Sequence, residues 1–204
     1  MVKYNLDKVI KLVNFISQNK NKFEPVTQRT PYYHMGATIT DAILQSGLNY
    51  QYVVYPRVKK LLTKFNDYKT TCDFIILFKT IPLGELLDWK NEQKLDRISR
   101  LSWFLFENKL ENEDQLSFWL TNNENIKMIS KINGIGPKTI DYLKMLSGQQ
   151  SIPIDRHLFK FLEMAGVIVK SYEEASFVYS EAAEKLNIKP YELDKKIWSY
   201  MSKA

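Results

Sequence analysis

The chain is poor in the residues that build cross-links and metal cages, with one cysteine, Cys72, and two histidines, His34 and His157, among 204 residues. A single thiol excludes an internal disulfide, a zinc site built on cysteine pairs and a four-cysteine iron–sulfur cluster. With two imidazoles left, a metal site would have to rest on carboxylates, and the acids show no spacing for one. Neither metal nor cofactor is expected. Long apolar runs are missing too: the longest, Phe74 to Phe78, is far below the ~20 residues that cross a bilayer. The opening MVKYNLDKVIKLV lacks a secretory apolar stretch and cleavage site. The expectation is a soluble, cytoplasmic protein with no membrane partner.

What is present is a core. An apolar fraction of 45%, with 12 Tyr, 11 Phe and 4 Trp, exceeds what a disordered chain carries, and the length suits one compact domain or two small lobes. Lys and Arg number 29 against 23 Asp and Glu, so the net charge is +6. That surplus permits a nucleic-acid partner without requiring one.

Apolar residues recur at helical spacing almost throughout, as in Leu6, Val9, Ile10, Val13 and Ile16, while two-residue alternation is scarce. The spacing predicts helices over about 6–19, 36–46, 50–65, 71–79, 83–89, 91–108, 112–121, 124–132, 137–147, 156–165, 172–187 and 190–202, and the class is all-α. Pro137 suits a first helical position, Gly148 and Gly166 suit positions just past a helix end, and Ser171 with Glu174 has capping-box spacing. The helix-poor stretch 21–35 holds Pro25, Pro31, Tyr32 and Tyr33. It reads as a hinge or lobe crossing, its tyrosines either packed on the core or facing a ligand.

The most informative stretch is NIKMISKINGIGPKTIDYLKMLSG. Gly134 and Gly136 bracket Ile135, so a tight hairpin joins two helices, with glycines free to take angles other residues avoid and Ile135 plugged into the core. The exposed N–H groups at the new helix start favour an anion, and Lys131, Lys138 and Lys144 add charge. A nucleotide-binding P-loop is excluded, because Pro137 stands where that loop needs glycine and a helix precedes it. Two readings stay open: a plain turn between packed helices, or a helix-hairpin-helix that clamps the DNA backbone without reading bases.

With Ile152-Pro153-Ile154-Asp155-Arg156-His157 following the hairpin, the chain resembles the helix-hairpin-helix DNA glycosylase superfamily, which includes endonuclease III and the 8-oxoguanine glycosylases. The resemblance covers roughly residues 36 to 166. It places Lys138 on the nucleophile of the bifunctional members, Asp155 on the family's catalytic acid and Gln45 near the residue that wedges into the duplex. As a helix-end polar residue, Gln45 also has an ordinary reading. Departures are plain: the hairpin begins Ile-Asn where the family has Leu-Pro, and the cysteines of the iron–sulfur cluster are absent. Asp155-Arg156-His157 and the ending Ile197 to Lys203 are most similar to the compact archaeal-type 8-oxoguanine glycosylase/lyase group, which implicates Trp198 and Lys203 in base recognition. Core packing of Trp198 and a frayed Lys203 are the other reading.

The resemblance implies a two-lobed helical fold, with a lobe over 35–149 carrying the hairpin and a second formed by 1–34 and 150–204. It implies a monomer acting on double-stranded DNA that holds a damaged base or an abasic site. Gly134, Ile135, Gly136, Gln45, Lys131, Lys144, Arg156 and His157 would contact DNA, and Trp198, Lys203, Tyr32 and Tyr33 would line a base pocket. The residues suit the chemistry. Lys138 falls in the first turn of its helix, where the positive helix end works against an ammonium charge, and a neutral amine is what attack on a sugar carbon needs. From Gly148 the chain can span about 25 Å by Asp155, enough to return along a helix about 16 Å long. As the cap of the next helix, Asp155 can stabilise positive charge developing on the sugar. The expected function is base excision with β-elimination lyase activity, 8-oxoguanine being the leading substrate. The alternatives are a non-catalytic helix-hairpin-helix DNA-binding protein, or a monofunctional glycosylase for alkylated or deaminated bases that uses Asp155 and water.

Overall fold

A computed structural model describes residues 6–24 and 30–203, the side chains of 202 and 203 excepted. The described residues are helical, with no strand among them. They fall into two compact units, one made of Met1–Arg29 with Gln150–Ala204 and the other of Thr30–Gln149.

The Thr30–Gln149 unit is organised around α2 (Met35–Leu44), every residue of which is buried. A helix with no wet face must be wrapped on all sides, and α2 packs against α3 (Tyr55–Lys64), α4 (Thr71–Thr80), α6 (Glu92–Glu107) and α9 (Pro137–Leu146). Ile39, Ile43 and Leu44 lie within that wrapping at 0–1% exposure, each burial worth about 1.5–3 kcal/mol. Polar groups at the start of α2 are satisfied internally. His34 caps the helix by accepting the Ala37 N–H at its Nδ1, and its Nε2 lies 3.1 Å from the Phe65 carbonyl. Glu113, buried in the first turn of α7 (Glu113–Trp119), accepts from the His34 N–H at 2.8 Å and the Thr38 hydroxyl at 2.7 Å. The short helices α5 (Leu83–Leu86) and α8 (Asn123–Ile129) complete this unit.

In the other unit α1 (Leu6–Gln18) packs on α11 (Tyr172–Lys185), and α10 (Arg156–Met164) on α12 (Pro190–Lys203). Their shared core gathers Val9, Leu12 and Ile16 from α1 with Leu158, Phe161, Val178, Tyr179 and Ile197. α9 and α10 end as the sequence predicts. Gly148 and Gly166 stand just past the helix ends at φ +94° and +67°, and the amides of Gln149 and Val167 close the last turns onto Lys144 and Leu162.

The structure corrects several local expectations. The predicted helix 50–65 opens with a wide turn of π-helix, Tyr50–Val54, before α3. Pro56 has no N–H to give the Tyr52 carbonyl, and the Tyr55 N–H reaches back five residues to Tyr50. The predicted helix 83–89 stops at Leu86, because Asp88 takes φ +47°. The predicted helix 124–132 spans Asn123–Ile129. Gly136 takes no special angle: φ −99°, ψ −177° is extended backbone open to any residue. Ser171 does accept the Glu174 N–H, but the Glu174 carboxylate goes to the Lys170 amide and the Lys8 ammonium, so the capping box is half formed.

Candidate functional site

The hairpin between α8 and α9 is built from the core outward. Ile135 is 2% exposed and anchors it, and the Ile135 N–H closes the turn onto the Ile132 carbonyl at 2.9 Å. Gly134 holds φ +83°, a conformation that costs a residue with a Cβ about 1–2 kcal/mol. No acceptor among the described residues meets the amides of Gly134 and Gly136. Pro137 takes the first position of α9, and Lys138 follows half-buried in the first turn, its Nζ 5.7 Å from the Tyr142 ring centroid one turn on. The arrangement is an apolar plug beside two amides that meet no acceptor among the described residues, with an amine in the next helical turn, a set suited to an oxyanion such as a phosphodiester.

The other charges expected around the hairpin divide. Lys131 is exposed in the turn itself. Lys144 stands in the last turn of α9, about 9 Å along the helix from Lys138, and lies 3.9 Å from the Asp141 carboxylate. Two further cations, which sequence reasoning missed, share this neighbourhood. Arg97 of α6 donates from Nε to the Asn133 carbonyl at 3.1 Å, with its guanidinium lying over Gly134. Lys94, one turn earlier, donates to the carbonyls of Ile43 and Ser46 at 2.7 and 3.0 Å, and so closes the C-terminal end of α2. Burial, followed by the charges of Arg97 and Lys138, pushes the Lys94 ammonium down to about 8. The only local signal for the pair is the i, i+3 spacing on α6, which places both on one helix face.

Gln45 caps the same end of α2, its N–H donating to the Asp41 carbonyl at 2.9 Å. Its Oε1 is buried and accepts no hydrogen bond from the described residues. Of the two tyrosines, Tyr32 donates from its hydroxyl to the fully buried Asp41 at 2.7 Å and lies 3.3 Å from the Tyr50 hydroxyl. Tyr33 holds φ +52° and is 61% exposed. Asp41 is a second carboxylate the sequence did not single out, hidden among the apolar positions of α2.

In the other unit, Asp155 caps α10. Its Oδ1 accepts the His157 N–H at 2.8 Å and the Leu158 N–H at 3.1 Å. The approach to Asp155 is fixed, since the Ile154 N–H donates to the Tyr172 hydroxyl at 3.1 Å and Ile152 and Ile154 are buried. Buried Tyr179 donates to the Leu158 carbonyl at 2.7 Å, locking the first turn of α10. Desolvation, with the charges of Asp194 and Asp155, raises the Tyr179 phenol well above its ordinary range. Arg156 is exposed and His157 half-buried in this first turn. Trp198 on α12 is 44% exposed, and the Lys203 side chain lies outside the described residues. Among the described residues no group of three metal-ligating side chains converges, and no helix is long and apolar enough to cross a membrane.

Residues 106–202, which include the hairpin, Lys138 and Asp155, match a family described as a domain of unknown function, DUF8548. No curated protein matches the sequence. Among solved structures the chain is similar to the H. pylori 3-methyladenine DNA glycosylase MagIII, solved bound to 1,N6-ethenoadenine. The TM-score is 0.58 and the identity 15%, over 96% of this chain and 95% of that one. A likeness running the whole length of both chains gives the architecture: this is the all-α helix-hairpin-helix glycosylase fold.

Proposed function

From that fold we propose that the protein is a base-excision-repair DNA glycosylase with abasic-site lyase activity. The observation that carries the reading is the hairpin, whose Gly134 and Gly136 amides meet no acceptor among the described residues, with Lys138 in the first turn behind it. A target base inside a duplex cannot be reached, so the nucleotide is flipped out, and hairpin amides and cations hold the backbone beside it. Lys138 Nζ attacks the C1′ carbon as the glycosidic bond breaks, and the base departs with the bonding electrons and takes up a proton. Asp155 supplies negative charge against the sugar cation as it develops. The amine-bound sugar opens to a Schiff base, which loses a C2′ proton and expels the 3′ phosphate. The leading substrate is 8-oxoguanine, supported by the similarity of Asp155-Arg156-His157 and the C-terminal ending to the archaeal-type group.

The likeness to a glycosylase solved with an alkylated adenine favours a second reading, in which Asp155 directs water at the sugar and Lys138 forms no bond. Borohydride trapping on duplexes carrying 8-oxoguanine, an abasic site, thymine glycol or 3-methyladenine separates the two. A covalent adduct that disappears in Lys138→Gln supports the lyase. Release of alkylated bases without any adduct supports the second reading, and tight duplex binding with neither release nor adduct defeats both.

A further inference from the structure

We propose that α6 carries a second phosphate-binding position beside the hairpin, where the open edge of the Arg97 guanidinium takes a DNA phosphodiester next to the one held by the hairpin amides. The inference rests on the DNA reading above and adds a residue that neither the hairpin motif nor the resemblance names.

The geometry sets Arg97 up for this. Its Nε is committed to the Asn133 carbonyl, which fixes the guanidinium plane against the turn. It lies so close over Gly134 that a Cβ there would stand 2.0 Å from Cζ and from one terminal nitrogen. The glycine makes the room. A guanidinium held by one edge keeps its other donors in a planar fork, the shape that meets two phosphate oxygens. Among the described residues no acceptor meets those terminal nitrogens.

Charge points the same way. Arg97 shares its neighbourhood with Lys94 and Lys138, and among the described residues none of the three forms an ion pair with a carboxylate. Repulsion from Arg97 and Lys138 acts on the partly buried Lys94, behind desolvation. Three neighbouring cations with no ion-pair partner among the described residues repel one another in the free protein, and an anion bound among them relieves that repulsion. Lys94 is occupied by the Ile43 and Ser46 carbonyls, whereas Arg97, fixed by its Nε, keeps its terminal donors for an anion.

The test is the salt dependence of binding to a short, labelled, undamaged duplex. Each phosphate neutralised contributes about −0.9 to the slope of log K against log salt. Arg97→Gln is expected to lower the slope by about that amount, weakening binding about fivefold near 0.15 M salt relative to its effect near 1 M. Arg97→Lys, which keeps the charge, is expected to keep the slope, and it serves as well if Arg97→Gln folds poorly. A wild-type slope in Arg97→Gln, with any loss equal at every salt concentration, overturns the proposal and leaves Arg97 as a brace for the turn. So does a slope lowered as far in Arg97→Lys as in Arg97→Gln. A wild-type protein that binds no duplex overturns the DNA reading itself.

Discussion

Asp155 has two jobs that a pair of substitutions can pull apart. As a helix cap, its Oδ1 receives the amides of His157 and Leu158; as a charge, it is assigned to the sugar cation. Asp155→Asn keeps a side-chain oxygen for both amides and loses only the interaction of a full negative charge with the helix end, about 0.3–1 kcal/mol. Asp155→Ala loses the cap as well, about 1–2 kcal/mol more. In a chain of this length each kcal/mol moves the melting temperature by about 2–4 °C. Asn should therefore melt about 1–4 °C below wild type and Ala about 3–12 °C below, in thermal unfolding followed by circular dichroism. Base release runs on a different scale. Removing a charge that stabilises the transition state costs on the order of 10²–10³ in rate, or about 3–4 kcal/mol, so single-turnover excision by Asn should fall by at least about 100-fold while the protein stays folded. Equal melting losses in Asn and Ala would refute the Oδ1 cap. Excision by Asn within a few-fold of wild type would refute the charge.

His34 gives a pH prediction. Burial holds its imidazole below the ordinary value of 6.5, outweighing the Phe65 carbonyl and the Glu113 carboxylate, which pull it up, while Lys69 adds a push downward. The unfolded state takes up the proton first, so this contribution to stability is complete above about pH 6.5 and is lost as pH falls below it. Melting temperature measured from about pH 7 down to pH 5 should drop more steeply in wild type than in His34→Asn, which keeps a cap acceptor without titrating; parallel curves would exclude the effect. The hairpin glycines should differ. Gly134→Ala forces a Cβ into φ +83° and against Arg97 and should cost about 1–2 kcal/mol in denaturant unfolding, whereas Gly136→Ala, extended and with open space around the added carbon, should be near neutral. Equal costs at the two positions would contradict the geometry described.

Local rules go far in a chain of short helices. Glycine past a helix end, proline at a first turn and an aspartate before an amphipathic run each act within four or five residues, so the limits of α9 and α10, the Asp155 cap and the Ile135 plug are legible from the letters alone. The turn at Tyr50–Val54 shows where that stops: apolar spacing carries a helix straight through 50–65, and the missing N–H of Pro56 decides the local winding. Which helix is central was not legible. MGATITDAIL carries Thr38, Thr40 and Asp41, polar side chains that ordinarily face water and here stand on different sides of the helix, yet all three are fully buried because α3, α4, α6 and α9 close around α2. The site divides along the same line. Lys138 and Asp155 announce themselves by their place beside a hairpin and a cap. Arg97 and Lys94 sit among 29 basic residues, marked locally by nothing beyond their i, i+3 spacing on α6. Their neighbourhood exists because α6 packs on α2, bringing one cation onto the Asn133 carbonyl and the other onto the end of the central helix. Contacts across some 36 to 51 positions belong to the packing of helices, and no pattern within a single helix encodes them.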